Sequence, residues 1–381
     1  MFLISTLSLI AVFLFIFQIV TGKMFILKNA KKNYKQISCE NFLFSVIIPY
    51  YNEDNYNLIT TIQSILSNEV NCEIILVNDG SKNPNIKELS NLINSKSIKY
   101  IEYSENKGKR FAMIDGFHQA NGDFIVFVDS DTVLMSDSLK NACKELIHNE
   151  VDAIGGNILI HNKEENFLTK IISGMYWISF NMERMSHSLF KCMTCCSGGF
   201  SLYKYESIKQ VINELDCQWV LNKKCKSGDD RHLTTLMLMK GFKTIVSINA
   251  FAYTITPSKL LSFIKQQQRW TRSFVVEIIW ILNQNFKKIV KFYWFIIFKM
   301  IFKHIYLLMI FFIIFLYGWS NILVGILTIL LIKAVVSIFF PNNSIANIIN
   351  MFIFGLMGFF IFSPFLLYAV ITPFDNKWGT R

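Results

Sequence analysis

The N-terminal part of the chain is hydrophobic and uncharged. Residues 2–20 carry no charged side chain, and as a helix rising 1.5 Å per residue they would be about 28 Å long, which matches the hydrocarbon core of a bilayer. A cleaved signal peptide is the alternative, but neither a basic start nor a small-residue cleavage site accompanies the segment. The lysines that follow are Lys23, Lys28, Lys31, Lys32 and Lys35. Because cytoplasmic flanks are rich in Lys and Arg, we predict a membrane helix over residues 1–22 and cytosol beyond it.

Hydrophobic character returns after residue 288. The long apolar stretches are residues 300–319, 321–340 and 342–372. The last stretch contains Pro364, so it is either a kinked span or a re-entrant or interfacial helix. We favour two spans followed by a re-entrant helix, because this topology returns residues 373–381 to the cytosol. The pattern predicts a multi-pass protein of the cell membrane, with membrane helices over 289–372 and a cytosolic tail.

Between the membrane segments, short apolar runs alternate with helical patterns. The predicted strands are residues 44–51, 73–79, 98–103 and 123–131, and the predicted helices are residues 58–66, 86–93 and 110–120. Continuous apolar runs separated by helices are typical of a parallel sheet that is buried on both faces. We therefore predict a doubly wound, mostly parallel α/β domain over residues 39–288, placed in the cytosol. Two amphipathic stretches, 167–182 and 257–288, are predicted as interfacial helices.

Composition favours a lipid partner over a nucleic acid. Of 381 residues, 52% are hydrophobic and 17% charged, and 38 Lys and Arg against 27 Asp and Glu give a net charge of +11. Such a basic excess is common in the cytoplasmic segments of membrane proteins, so the lipid bilayer is the expected partner and nucleic acid is not. The eight cysteines lie in the cytosolic segment, where thiols stay reduced, and we expect no disulfide framework. The sequence does not indicate an oligomeric state.

Polar and acidic residues follow the predicted strands. These residues are Asn52, Glu53, Asn78, Asp79, Asp129 and Asp131. In doubly wound sheets, ligands bind outside the carboxyl ends of the strands, so these side chains are site candidates. Asp129 and Asp131 are two residues apart, so on an extended strand end both carboxylates face the same side and could hold one divalent cation.

Six short motifs follow one another along the chain. They read VIIPYYNE at 46–53, VNDGS at 77–81, GKR at 108–110, VDSDT at 128–132, GDDRHLT at 228–234 and QQQRW at 266–270. In this order the motifs resemble those of processive, inverting glycosyltransferases of family 2, and the resemblance implies a GT-A glycosyltransferase domain. Residues 176–184, 195–198 and 378–381 are similar to segments of hyaluronan synthases and of nodulation chitooligosaccharide synthases.

The resemblance assigns a role to individual residues. It implies Asp230 as the general base, and Asp129 and Asp131 as ligands of Mg²⁺ or Mn²⁺. Independently of the resemblance, Asp229 is expected to cap the following helix. The implied donor-binding residues are Glu53, Asp79, Lys109, Arg110, Asp129, Gln266, Arg269 and Arg381. The implied acceptor-binding residues are Tyr176, Trp177 and Trp270, and Trp378 would gate the site. One carboxylate to take the acceptor proton, with cations to stabilise the leaving diphosphate, is what an inverting transfer requires.

The resemblance also implies the substrates, but it does not decide which polymer is made. UDP-sugar donors and a growing β-linked polysaccharide are the expected partners, with export of the product through the membrane helices. Transfer of both N-acetylglucosamine and glucuronate, as in hyaluronan synthases, is our first expectation, and a chitooligosaccharide synthase that uses N-acetylglucosamine alone is the alternative. A non-processive transferase acting on a lipid phosphate and a non-catalytic membrane scaffold of the same fold are further alternatives. Gly199 stands where many relatives have Pro, and the span count resembles the chitooligosaccharide enzymes.

Overall fold

A computed structural model describes most of the predicted cytosolic domain. The described residues are 2–30, 37–82, 98–284, 293–299, 301–302, 305, 349–350, 353–355, 357 and 368–374. The predicted helix over 86–93, most of the predicted C-terminal spans and the tail with Trp378 and Arg381 lie outside the described residues. The two-span topology, the domain boundaries and the cytosolic position of the tail therefore stay predictions.

The elements alternate between strands and helices for most of the domain. The strands are β1 Phe44–Tyr50, β2 Cys72–Asn78, β3 Ile98–Glu102, β4 Phe124–Phe127, β5 Val133–Leu134, β6 Ala153–Ile160, β7 Ser201–Lys204, β8 Trp219–Val220, β9 Lys223–Lys224 and β10 Thr244–Thr254. The α-helices are α1 Phe2–Ala30, α2 Asn55–Leu66, α3 Lys109–His118, α4 Ser138–His148, α5 Phe167–Ile178, α6 Met185–Leu189, α7 Tyr205–Ile208, α8 Asp229–Met239 and α9 Leu260–Leu282. A π-helical segment, Ser179–Arg184, joins α5 to α6.

The main sheet has eight strands in the order β3-β2-β1-β4-β7-β6-β10-β5. Strands β1, β2, β3 and β4 pair in parallel, with Phe44 opposite Cys72 and Phe124. Every residue of β1 is buried, as a continuous apolar run in a sheet covered on both faces requires. The predicted doubly wound, mostly parallel sheet is confirmed. Its antiparallel members are β7, between β4 and β6, and β5, at the edge beside β10.

The chain leaves β1 in one direction and later returns on its other side. It passes from β1 to β2 and β3, then crosses back to β4, which pairs with the opposite edge of β1. In open α/β sheets the crevice outside the carboxyl ends at such a reversal is where ligands bind. The fold therefore places the predicted site at the ends of β1, β2 and β4.

Helix α1 extends eight residues beyond the predicted end at residue 22. Among the described residues, one helix, Ile10–Ala30, is long and apolar enough to cross a membrane, although an N-terminal signal sequence has the same character. Helix α1 packs on the π-helical segment and α6, where Thr21 Oγ1 and Ser186 Oγ lie 2.7 Å apart. A Cβ on Gly22 would lie 3.0 Å from the Met182 carbonyl oxygen, so glycine permits this close approach.

The two predicted interfacial stretches form helices α5 and α9. A capping box starts α5, because the Asn166 side chain accepts from the Thr169 backbone N–H and the Thr169 hydroxyl accepts from the Asn166 backbone N–H. Asn166 Nδ2 also donates to the Ser258 carbonyl, 3.0 Å away, which joins the starts of the two helices. Phe167 and Leu261 are exposed at these starts. Contact of this surface with lipid stays a prediction.

Candidate active site

The end of β1 is tied to the end of β4 by Glu53. Its Oε1 accepts from Asn57 Nδ2 at 3.0 Å, and its Oε2 accepts from Ser130 Oγ at 2.9 Å. Ser130 lies between the two predicted metal ligands, Asp129 and Asp131. The structure thus places Glu53 beside the Asp-Ser-Asp turn, where it orients that turn through a hydrogen bond.

Asp79, at the end of β2, holds the loop that leads into α3. Its carboxylate accepts from the backbone N–H groups of Lys107, at 2.8 Å, and Gly108, at 3.0 and 3.1 Å, and from Asn106 Nδ2 at 2.9 Å. Burial of this side chain, which is 2% exposed, raises the pKa of Asp79 above its ordinary value, although these hydrogen bonds favour the carboxylate. Asp79 therefore shapes the loop from which Lys109 projects.

Lys109 lies between two carboxylates that come from distant parts of the sequence. Its Nζ is 2.5 Å from Asp129 Oδ1, at the end of β4, and 3.2 Å from Asp229 Oδ2, at the start of α8. Burial alone would lower the pKa of Lys109, but the two carboxylates raise it above its ordinary value. Burial alone would likewise raise the pKa of Asp229, but Lys109 and Arg110 lower it. The ammonium group thus joins the β4 end of the site to the α8 end.

Asp229 does not cap α8, contrary to our expectation. The helix begins at Asp229, its cap position is Gly228, and no side chain makes a cap hydrogen bond there. The Asp229 carboxylate pairs with Lys109 instead. Sequence reasoning missed this contact, although two adjacent acidic residues in one motif were a signal that both have partners.

Arg110 has different hydrogen-bond partners from its neighbour Lys109. Its guanidinium is buried and donates to the carbonyl oxygens of Leu215 and Ser227, at 3.0 and 2.9 Å, and to Gln218 Oε1 at 2.7 Å. The resemblance to family 2 enzymes implies that both basic residues bind the donor. In the structure Lys109 contacts the acidic residues of the site, whereas Arg110 fixes the segment that precedes α8.

Asp230, the predicted base, is in the first turn of α8. Its Oδ1 accepts from the Arg231 backbone N–H at 2.8 Å, and its Oδ2 lies 3.4 Å from both Cys195 Sγ and the Gly198 backbone nitrogen, each of which donates to it. Burial first, and then the charge of Asp230, raise the pKa of Cys195 to about 12. The thiol is therefore neutral near pH 7 and orients the Asp230 carboxylate as a hydrogen-bond donor.

Aromatic side chains from α5 and α9 meet beside this carboxylate. The rings of Tyr176 and Trp270 pack edge to face with centroids 6.3 Å apart, and Tyr176 also stacks on Phe180 at 6.0 Å. Burial raises the pKa of Tyr176 to about 12, so its hydroxyl is protonated at neutral pH. Trp177 packs instead against the cluster of Ile19, on α1, and Met182. The structure thus brings Tyr176 and Trp270 together and places Trp177 on the side of the N-terminal helix.

Gln266 and Arg269 share helix α9 with Trp270. Within the described part of the chain, Gln266 Oε1 is buried and accepts no hydrogen bond. The positive charge of Arg269 acts on Tyr176, opposing the effect of burial on the pKa of that phenol. Trp378 and Arg381, predicted to reach the same region, lie outside the described residues.

The end of β4 suits a divalent cation. Asp129 and Asp131 supply carboxylate oxygens, which are the ligands that Mg²⁺ and Mn²⁺ prefer. A Cβ on Gly198 would lie 3.1 Å from Lys109 Nζ and 3.3 Å from both carboxylate oxygens of Asp129, so glycine permits the backbone to approach this ion pair closely. Within the described residues, no group of three or more His, Cys, Asp and Glu side chains gathers as a metal site. A cation at this place would therefore depend on the two aspartates and on oxygens of a bound ligand.

The sheet, the acidic strand ends and the adjoining helices together form an α/β domain with a GT-A-like fold. Residues 45–212 match the family model for glycosyl transferase family 2. The mannosyltransferase PcManGT from Pyrobaculum calidifontis, solved with GDP-Man and Mn²⁺, has the same fold at a TM-score of 0.59 and 15% identity, over 97% of this chain and 99% of that one.

Two similar proteins are named N-acetylglucosaminyltransferases. An N-acetylglucosaminyltransferase of Azorhizobium caulinodans is 33% identical over 232 residues, which are 60% of this chain and 58% of the relative. One from Rhizobium sp. strain N33 is 34% identical over 60% of this chain and 52% of the relative. The chain thus spans little more than half the length of these relatives. The predicted membership of family 2 is supported, while a specific likeness to hyaluronan synthases stays a prediction.

Proposed function

We propose that this protein is a membrane-anchored, inverting glycosyltransferase that transfers N-acetylglucosamine from UDP-N-acetylglucosamine to the end of a growing β-linked polysaccharide. The observation that carries the proposal is the position of Lys109 between Asp129 and Asp229. Through this contact the acidic turn at the end of β4 and the predicted base on α8 belong to one site. The names of the curated relatives support the choice of sugar.

The donor would lie along the carboxyl ends of β1, β2 and β4. Asp79 fixes the loop before Lys109, and Lys109 presents a positive charge where a leaving diphosphate gains negative charge. Arg269 on α9 supplies a second positive charge near the aromatic pair. A divalent cation bound by Asp129 and Asp131 would neutralise part of the diphosphate charge.

The chemical step needs one base and no covalent intermediate. Asp230 takes the proton from the acceptor hydroxyl while that oxygen bonds to C1 of the sugar from the face opposite the diphosphate. The bond between C1 and the diphosphate oxygen breaks, UDP leaves, and the new linkage is inverted at C1. Cys195 and the Gly198 backbone N–H hold the carboxylate in place.

The acceptor would rest on the aromatic side chains. Tyr176 and Trp270 form an edge-to-face pair, and Trp270 is 37% exposed. An exposed aromatic face suits the apolar face of a sugar ring. We further propose that the polymer leaves through the membrane helices and that Trp378 and Arg381 close the donor side, with the catalytic domain in the cytosol.

The direct test measures polymer synthesis by the full-length protein purified in detergent. Radiolabelled UDP-N-acetylglucosamine is supplied with Mg²⁺ or Mn²⁺, with and without UDP-glucuronate, and the product is digested with chitinase or hyaluronidase. A chitinase-sensitive product from the single donor is expected. A product that forms only with both donors and is cut by hyaluronidase would establish the hyaluronan alternative, and no product with either donor would contradict the proposal.

Asp230→Asn tests the base separately from the fold. The amide keeps an acceptor for the Arg231 N–H and removes the basic carboxylate, so UDP affinity should be retained while turnover falls by about 10²- to 10⁴-fold. Asp152→Asn is a matched control, because both carboxylate oxygens of Asp152 also accept hydrogen bonds, from Ser207 Oγ and the Lys243 N–H, elsewhere in the domain. Unchanged turnover in Asp230→Asn would exclude Asp230 as the base.

A further inference from the structure

The buried carboxylate of Glu277, on α9, takes no part in the proposed reaction. Glu277 is 3% exposed, and its two carboxylate oxygens are each 3.2 Å from Nδ1 of His232. His232 is on α8, two residues after Asp230, and is fully buried, with its ring packed edge to face on Trp280 at 4.6 Å. This contact therefore joins the helix of the proposed base to the helix of Trp270.

Glu277 also takes part in a chain of hydrogen bonds that leads through Gln218 to Arg110. Gln218 Nε2 donates to Glu277 Oε2 at 2.7 Å, and Gln218 Oε1 accepts from the Arg110 guanidinium at 2.7 Å. Burial alone would raise the pKa of Glu277, but His232 and its hydrogen bond lower it, so the side chain is a carboxylate at neutral pH. One buried anion thus links α8, α9 and the start of α3, where Lys109 precedes Arg110.

The spacing along α9 relates this cluster to the acceptor side. Glu277 is seven residues after Trp270, which is close to two helical turns, so both side chains project from the same side of α9 about 10 Å apart. Between them, Ser273 approaches Gly228 at the start of α8. The pose of α9 against α8 is fixed at these two places, and that pose sets the position of Trp270 relative to Asp230.

We propose that Glu277 is a positioning residue, which holds the base Asp230 and the acceptor platform Trp270 in register by binding His232 and Gln218. This inference rests on the proposed function for its catalytic meaning, whereas the coupling of the helices does not depend on it. The ordinary alternative is that the cluster only stabilises the fold. A buried carboxylate with hydrogen-bond partners is weak evidence of net stability, so the two roles have to be separated by experiment.

The hydrogen-bond pattern provides a rescue variant. In Glu277→Gln the single oxygen cannot accept from both Gln218 and His232, and Arg231 loses a nearby counter-charge. In the double variant Gln218→Glu/Glu277→Gln, the carboxylate at 218 accepts from Arg110 and from the new amide at 277, whose oxygen accepts from His232 Nδ1–H. The hydrogen bonds of Arg110 and His232 are satisfied again and the net charge is restored.

The first readout is hydrogen exchange of the full-length protein in detergent, followed by mass spectrometry. Exchange of the amides at the start of α8, residues 229–234, should accelerate about tenfold in Glu277→Gln and return toward the wild-type rate in the double variant. Glu145→Gln is the control, because Glu145 is also buried but accepts from the backbone N–H groups of Ile248 and Asn249. Equal acceleration in the control, or no acceleration in Glu277→Gln, would overturn the inference.

The second readout is turnover with UDP-N-acetylglucosamine. Misplacement of reacting groups by about 1 Å costs up to about 10²-fold in rate, so kcat should fall at least tenfold in Glu277→Gln with UDP affinity unchanged, and the double variant should recover most of it. A kcat that follows thermal stability alone, or that the double variant does not recover, would refute a positioning role. If the wild-type protein makes no product, the proposed function fails, and the exchange measurement still decides whether Glu277 couples the helices.

Discussion

Two glycines at opposite ends of α8 allow a test of how much the close packing of α8 on α9 contributes to stability and turnover. Gly228 precedes the helix with φ of 80°, and Gly241 follows it with φ of 87°. A Cβ on Gly228 would lie 2.0 Å from Ser273 Oγ and 3.0 Å from Ser273 Cβ, whereas a Cβ on Gly241 would meet nothing within 4 Å. Alanine at either site is strained, but only alanine at 228 pushes α8 away from α9.

The expected costs follow from these distances. A left-handed conformation costs an L-residue roughly 1–2 kcal/mol, which is the whole effect that we expect for Gly241→Ala. Gly228→Ala adds overpacking, which costs about 1–3 kcal/mol, because the Ser273 hydroxyl can rotate away but its Cβ cannot. The difference between the two variants should therefore be about 1–3 kcal/mol in the free energy of unfolding. A shift of α8 by about 1 Å would also reduce turnover up to about 10²-fold in Gly228→Ala.

Both quantities are measurable on the purified full-length protein. Denaturant unfolding in detergent, followed by tryptophan fluorescence, gives the stability of each variant, and incorporation of radiolabelled N-acetylglucosamine gives turnover. Gly241→Ala should lose stability and keep its turnover. Equal losses in the two variants, or a larger loss in Gly241→Ala, would refute the claim that Gly228 sets the distance between α8 and α9.

Three further changes test other parts of the molecule. Glu73 pairs with Lys99 at 2.9 Å, and although burial opposes it, this partner holds the pKa of Glu73 below its ordinary value of 4.5. Glu73→Gln should therefore cost about 1–3 kcal/mol at pH 7, and its deficit in denaturant unfolding should disappear as the pH falls through the folded-state pKa. Trp270→Ala should raise the KM for a chitooligosaccharide acceptor by at least tenfold, as an aromatic platform worth more than about 1.4 kcal/mol implies, while Leu261→Ala on the same helix should leave it unchanged. Deletion of residues 378–381 should abolish polymer synthesis without changing the unfolding midpoint, and wild-type synthesis by the truncated protein would contradict the gating role.

The strands that bear the site are those that the sequence predicts best. Strands β1, β2 and β3 fall within a residue of the predicted ranges, because a continuous apolar run specifies both the strand and its burial on two faces. Strand β4 ends at Phe127, earlier than predicted, since Asp129 and Asp131 belong to the turn that follows it. The acidic ends of β1, β2 and β4 lie at one edge, because parallel strands share their carboxyl ends.

The contacts between α8 and α9 were beyond the reach of sequence patterns. An amphipathic pattern predicts that α9 buries one face, but it does not reveal that Glu277 lies on that face, since charged residues are almost always on the surface. His232 and Gln218, the partners of Glu277, are 45 and 59 residues away along the chain. Only the tertiary packing brings these three side chains together and satisfies the buried charge.

The antiparallel strand β7 explains why a distant loop reaches the site. Because β7 runs opposite to β4, its first residue, Ser201, lies opposite Phe127 at the carboxyl end of β4. The loop before β7, which contains Cys195 and Gly198, is therefore delivered to the edge where ligands bind, whereas a parallel strand would bring its following loop there. Gly198 reaches both Asp129 and Asp230 in consequence. Because β7 is antiparallel, Asp129 on the donor side and Asp230 on the base side both lie next to the same backbone segment, at Gly198.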